Sequence, residues 1–286
     1  MEVTAIALLI NENAIDDLKI FLYTLELWNS SVPTLYIYCT TECKAIIQGF
    51  VYSGLIHYNT GLDAYANLSR IQMEKMPSKN GLSNRFHDFT VEKCSLMEWA
   101  LTINTGVLFC DADICWLGPL PSIPSGVSVA LSPHEIRESD ENKYGIYNAG
   151  FIWMNDMAVV EVWREASNDS AFFEQLALNK VAEEFHIYKF GTHVNYGWWR
   201  MFQGRESIQT CKAQWAIQYD DTHSGLLVKG EPVVCIHTHW KTTDHVTNMF
   251  NTWIVGKLLL SKNIKVSAFL RELSKHAAQK HGGPSP

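Results

Sequence analysis

The sequence predicts an α/β fold: a mostly parallel sheet flanked by helices, in a single continuous domain. Three observations carry this expectation. Short apolar runs without polar alternation recur along the chain, as strands buried on both faces require. Stretches of helical periodicity fall between them. The 286 residues, 47% hydrophobic and 19% charged, suffice to bury one substantial core.

In chain order, residues 4–10 (TAIALLI) form the first apolar run, ended by Asn11-Glu12-Asn13. Ile15 to Trp28 then places Ile15, Leu18, Phe21, Leu22, Leu25 and Trp28 on one helical face. A strand over 34–40, a helix over 42–50 and a weaker strand over 54–59 continue the alternation. Residues 60–89 are polar and hold Pro77 and Gly81, which predicts an irregular excursion with at most a short helix, of the kind that often acts as a lid. Helical periodicity returns over 92–104 and leads through Gly106 into a strand at 107–110. Further strands are expected over 127–132, 147–154 and 232–240. Helices are expected over 158–166, 171–179 and 251–260. The last residues, 276–286, read as a mobile tail.

The net charge of −7 argues against general affinity for nucleic acid or anionic lipid. The apolar run at 4–10 is too short for a signal peptide or a membrane span, and no later window is apolar for long enough either. A soluble, cytoplasmic protein without stable membrane insertion is therefore expected. The seven cysteines are odd in number, scattered and without a CxxC pair, which favours reduced, buried thiols.

Three stretches carry chemistry. In VLFCDADICWL (107–117), an apolar strand delivers Asp111 and Asp113 at its end, on the same side if the chain stays extended. Two carboxylates there can share Mg²⁺ or Mn²⁺, with positions left for substrate phosphates; a strand cap is the plainer alternative. In IYNAGFIWM (146–154), small residues at Asn148-Ala149-Gly150 let a ligand approach the backbone closely. In VVCIHTHWKTTDH (233–245), a strand delivers His237, His239 and Lys241, residues suited to a metal or a phosphate. The run VNYGWWRMF (194–202) offers Tyr196, Trp198 and Trp199 as flat faces for a ligand, with Arg200 adding donors; aromatic core packing is the alternative for one of the two tryptophans.

In this order, TGVLFCDADICWLGPLP, YNAGFIWM, FFEQLALNK and IHTHWK resemble the landmarks of nucleotide-sugar-dependent glycosyltransferases with the GT-A fold, of the Asp-x-Asp type. The resemblance runs from residue 4 to about 245. It implies a hexosyl- or pentosyltransferase that moves a sugar from a nucleotide-diphosphate sugar, by default a UDP-sugar, to a carbohydrate or other hydroxyl acceptor. In such enzymes the aspartate pair and a late histidine hold Mn²⁺ or Mg²⁺. By matching position these are Asp111, Asp113 and His237, with His239 the competing ligand. Asn11 and Lys93 fall where the nucleotide is contacted, Asn148, Ala149 and Gly150 line the sugar pocket, and His239 and Lys241 face the diphosphate. Glu174 and Gln175 stand where the family has Asp-Gln, near the reacting centre. Residues of about 1–120 would form the nucleotide-binding half and about 121–275 the donor-sugar and acceptor half.

The resemblance implies retention of anomeric configuration, with the donor phosphate helping to deprotonate the acceptor. Inversion would instead need a carboxylate base, for which Glu174, Asp156 and Asp220 are available. Two other readings compete: a metal-dependent hydrolase built on His237, His239 and Asp244, and a catalytically inactive protein that binds sugar nucleotides.

Overall fold

The structure, a computed structural model, describes residues 1–169 and 173–278. The first half runs β1 (Ala5–Ile10), α1 (Ile15–Trp28), β2 (Thr34–Cys39), α2 (Thr41–Ile47), β3 (Ile56–Asn59), α3 (Arg70–Glu74) and α4 (Arg85–Leu101). Then come β4 (Val107–Cys110), β5 (Ile114–Trp116), β6 (Val129–Pro133), α5 (Glu138–Tyr144), β7 (Tyr147–Met154), α6 (Met157–Asp169), α7 (Phe173–Glu184) and β8 (Ile187–Lys189). The remainder holds β9 (Tyr196–Gly197), α8 (Trp198–Phe202), α9 (Ile208–Ala213), β10 (Trp215–Ile217), β11 (Leu226–Val228), β12 (Glu231–Pro232), β13 (Cys235–His237), α10 (His245–Leu260) and α11 (Ile264–Ala278).

The main sheet has the order β3-β2-β1-β4-β7-β6-β8. Neighbours pair in parallel except where β7 enters between β4 and β6 and runs against both. Both faces are covered, as the unbroken apolar runs require. Along β1, Ile6, Leu8 and Ile10 enter one core while Ala5, Ala7 and Leu9 enter the other. The first core receives α1 through Leu18, Phe21 and Leu25; the second receives α4 and α6 through Met97 and Trp163.

A second, three-stranded sheet, β5-β13-β9, links the late part of the chain to the end of β4. In its register His237 lies opposite Ile114 and Ile236 opposite Cys115, with Gly197 beside His237. A third small sheet, β10-β11-β12, is antiparallel.

Several expectations need adjusting. Within 60–89 the short helix allowed for there is α3, started by a capping box of Ser69 and Gln72. Asn84 caps α4 seven residues ahead of the expected start, accepting a hydrogen bond from His87 N. The expected strand at 232–240 divides into β12 and β13. Helix α10 begins at His245 because Asp244 caps it. The chain does not dissolve into a tail at 276, since α11 continues to Ala278; the rest of that expected tail, 279–286, and positions 171–172 of the expected helix lie outside the described residues. All seven cysteines are free and buried. No helix among the described residues is long and apolar enough to cross a membrane.

Candidate active site

The site forms where β4 ends and β7 begins. Because β7 is reversed, Asn148, Ala149 and Gly150 at its start lie beside the residues that leave β4, and Asp111 N donates to Gly150 O at 2.9 Å. One turn later Asp113 faces β13, which brings in His237. The imidazole Nε2 of His237 is 3.0 Å from Asp113 Oδ1 and 3.8 Å from Asp111 Oδ2. One ligand atom from each of Asp111, Asp113 and His237 falls within 4.8 Å of the others.

The packing here leaves no room for a larger residue in β7. A Cβ on Gly150 would press on Asp111 Oδ2 and stand 2.5 Å from His237 Cε1. On its other side His237 meets the edge of the Trp199 ring, with centroids 4.9 Å apart. Its Nδ1 is buried and has no hydrogen-bond partner.

Charge around the aspartates is divided unevenly. Burial, against the pull of Lys93 and His237, holds the Asp111 carboxyl above its ordinary range. For Asp113 burial acts in the same sense, but His237 and His239 outweigh it and push the carboxyl well down. Lys93, buried on α4, reaches Asp111 Oδ1 at 3.2 Å, Glu174 Oε1 at 2.9 Å and the Ala149 carbonyl at 3.2 Å. Burial opposes the charge of Glu174, yet Lys93 lowers its carboxyl below the usual range. Lys93 and Glu174 thus form a buried pair that leans on Asp111.

Gln175 lies beyond Ala149. Its Oε1 accepts from Ala149 N at 3.4 Å, and its Nε2 donates to the Tyr144 carbonyl at 2.9 Å and to His134 Nδ1 at 3.3 Å. Burial and Arg200 push His134 down to about 3, which keeps its ring neutral. Asn148 Oδ1 accepts from Gly150 N and from Asn195 Nδ2, both at 3.1 Å.

His239 occupies a different position from His237. It is exposed, with Nδ1 2.8 Å from Asp17 Oδ2 and Nε2 3.4 Å from Asp113 Oδ2. Asp113, followed by the hydrogen bond to Asp17, raises it to about 9. Lys241 pairs with Asp16 at 2.9 Å, at the start of α1. Asn11 turns its amide inward, donating to Leu68 O at 2.9 Å and accepting from Asn13 N. Its side chain thereby ties the 60–74 excursion to the end of β1.

Other expectations are not met. Asp244 accepts from Thr247 N and Oγ1 as the cap of α10, and the only metal-competent cluster among the described residues is Asp111, Asp113 and His237; the hydrolase trio does not assemble. Asp156 follows the far end of β7, at the opposite end of the strands from Asp111. Asp220 is held within its own loop by Thr222. Of the aromatic run, Tyr196 packs on Trp215 and Phe250, and Arg200 pairs with Glu135 and the Pro133 carbonyl; both also line a cavity of about 360 Å³ with Thr192 and Arg205, while Trp198 is half-buried. Sequence reasoning also missed Asp17, His134 and Asn195. Asp17 alone left a signal, as a carboxylate on the apolar face of α1.

The fold is that of GT-A glycosyltransferases, with the Asp-x-Asp cluster at the end of a central strand. Among solved structures the chain is similar to the galactosyltransferase LgtC in complex with donor and acceptor sugar analogues, at 12% identity, TM-score 0.54 and 98% of each chain covered. An active-site mutant of LgtC gives a TM-score of 0.56 at 11% identity, again over 98% of each chain. The apo form of the glycosyltransferase GlyE from Streptococcus pneumoniae TIGR4 gives 0.53 at 13% identity, over 99% of this chain and 65% of that one. No protein-family model and no curated protein sequence matches the chain. At such identities the likeness defines the fold, and the reaction has to be argued from the site.

Proposed function

We propose that this protein is a metal-dependent glycosyltransferase that moves a sugar from a nucleotide-diphosphate sugar, UDP-linked, to a carbohydrate or other hydroxyl acceptor, with retention. The single observation that carries this reading is the cluster of Asp111, Asp113 and His237 at the carboxyl end of β4, where open α/β sheets bind ligands. Two carboxylates and one imidazole suit a hard or borderline divalent cation, Mn²⁺ or Mg²⁺, and two acids this close invite a counter-charge. When bound, such a cation stabilises the charge that grows on a departing diphosphate.

The chain's own residues would do the rest. Asn148, Ala149 and Gly150 line the sugar pocket, with little side-chain bulk between ligand and backbone. Lys93 holds Asp111 and Glu174 in register behind that pocket, and Gln175, fixed by Tyr144 and His134, orients the transferred sugar. His239 and Lys241 stand toward the diphosphate. Asn11 meets the nucleotide within the half formed by about residues 1–120; the sugar and the acceptor lie in the half of about 121–275. Seven free buried thiols support a cytoplasmic setting.

Thermal-shift titration with UDP-, GDP- and other nucleotide sugars, with and without Mn²⁺, tests the reading. A metal-dependent rise in Tm with a UDP-sugar is expected, followed by sugar transfer or slow donor hydrolysis. If no nucleotide stabilises the protein in Mn²⁺, the reading fails. Stabilisation without turnover would replace it with the inactive binding protein.

A further inference from the structure

The cavity lined by Arg200 and Tyr196, about 360 Å³ in volume, falls within the size range of small-molecule sites. It shares three chain segments with the candidate active site. Glu135 on its wall follows His134, which meets Gln175. Ile146 stands two residues before Asn148, and Tyr196 precedes Gly197, the register neighbour of His237. Trp199 bridges these segments, donating from Nε1 to the His134 carbonyl at 3.1 Å and meeting the His237 ring with its edge.

The wall is charged, and not all of its donors are used. Arg200 is only 3% exposed. Of the five N–H groups of a guanidinium, one goes to Glu135 and one to the Pro133 carbonyl, while Nε has no partner. A buried cation with donors left over is costly unless something accepts from them. Arg205 is engaged with Glu141. Lys229 belongs to neither ion pair. It sits exposed at the tip of the β11–β12 hairpin, where Lys229 and Gly230 take φ of 53° and 85°, as tight hairpin turns require. Acceptors lie on the same wall. Glu206 accepts from Gln214 Nε2 at 2.6 Å and Glu135 from Thr192 Oγ1 at 2.9 Å. A carboxylate can accept about four hydrogen bonds, so both keep capacity for hydroxyl donors.

We propose that this cavity binds a sugar that carries a carboxylate, a uronate, whose acid group meets Lys229 and the spare donors of Arg200 while its hydroxyls donate to Glu135, Glu206 and the Gln214 amide oxygen. Resting on the glycosyltransferase reading, the occupant is the residue of the acceptor glycan next to the one that receives the transferred sugar. Charge selects the ligand. The wall balances three acids, Glu135, Glu141 and Glu206, against Arg200, Arg205 and Lys229. One negative charge on the Lys229 and Arg200 side is accommodated, whereas a dianionic phosphate is repelled by three carboxylates at close range. A neutral sugar forgoes the charge-assisted hydrogen bonds.

Saturation-transfer NMR on the full chain, treated with chelator and without donor, compares methyl glucuronide, methyl glucoside and inorganic phosphate. The glucuronide should bind at least about tenfold more tightly than the other two, and its affinity should fall as salt is raised. Lys229→Asn, a residue that tolerates positive φ, should weaken glucuronide binding about threefold and leave the glucoside unaffected. Arg200→Lys keeps a cation beside Glu135 but loses the planar fork, and should weaken glucuronide binding by about tenfold or more. If the Arg200 variant does not keep the parent's circular dichroism, the exposed Lys229→Asn alone decides. Equal affinity for glucuronide and glucoside, tighter binding of phosphate, or glucuronide binding that Lys229→Asn leaves unchanged overturns the proposal. The measurement needs neither metal nor nucleotide. A failed nucleotide titration beside intact glucuronide binding would therefore remove the acceptor assignment and keep the uronate site.

Discussion

Gly150 and His237 come from strands of different sheets, yet a Cβ on Gly150 would stand only 2.5 Å from His237 Cε1. The two sheets meet at this point, and the absence of a side chain on β7 lets the imidazole approach Asp111. Gly150→Ala is therefore expected to displace His237 from the aspartates. Overpacking of this kind costs about 1–3 kcal/mol, so the variant should fold with a lowered Tm and lose the Mn²⁺-dependent shift. An unchanged metal response would show that His237 has freedom to move.

Asp113 accepts from His237 and faces His239 as well. Asp113→Asn keeps the shape and removes the charge. Donor affinity in Mn²⁺ should fall by at least about tenfold, while far-UV circular dichroism stays that of the parent. Donor binding at parental strength would remove the aspartate pair from the mechanism.

Lys93 and Glu174 form a buried ion pair at 2.9 Å. Removing one partner strands the other, so Lys93→Ala should lose about 3–5 kcal/mol in urea denaturation. The double variant Lys93→Met/Glu174→Gln should recover much of that loss, yet still bind donor poorly, because Asp111 would lack its ammonium. Equal destabilisation in both variants would contradict this account.

His239 carries a pH signature. Its raised value, about 9 against the ordinary 6.5, means that the protonated ring is favoured in the folded state. In chelator-treated protein, the stabilisation that His239 gives over His239→Gln should be complete below about pH 6.5 and disappear as pH rises through about 9. Urea midpoints of the two proteins, taken across that range, should converge. A constant gap would mean that the contacts to Asp17 and Asp113 do not depend on charge.

The parts legible in the sequence were those in which local pattern and burial agree. β1, β4 and β7 are apolar throughout because both faces of the sheet are covered, and β7 was legible residue for residue at 147–154. Its reversed direction was not, since an apolar run carries no sign of polarity. β5 escaped notice because three residues after a turn have no period to read. It is nevertheless β5 that pairs with β13 and brings His237 to the aspartates. Asp111, Asp113 and His237 could be named as candidates from residue type and strand position. The wedge of Trp199 and the link from Gln175 to His134 are products of tertiary packing between distant segments, and no spacing encodes them.

The pairing of β13 with β5 also has a consequence in time. During synthesis the aspartates emerge long before His237, and the main sheet can assemble from β1 to β8 without it. The cluster of Asp111, Asp113 and His237 closes only when β13 docks on β5, after all the strands of the main sheet have been made. A chain cut short after β8 could therefore keep its main sheet and still lack the third member of the cluster.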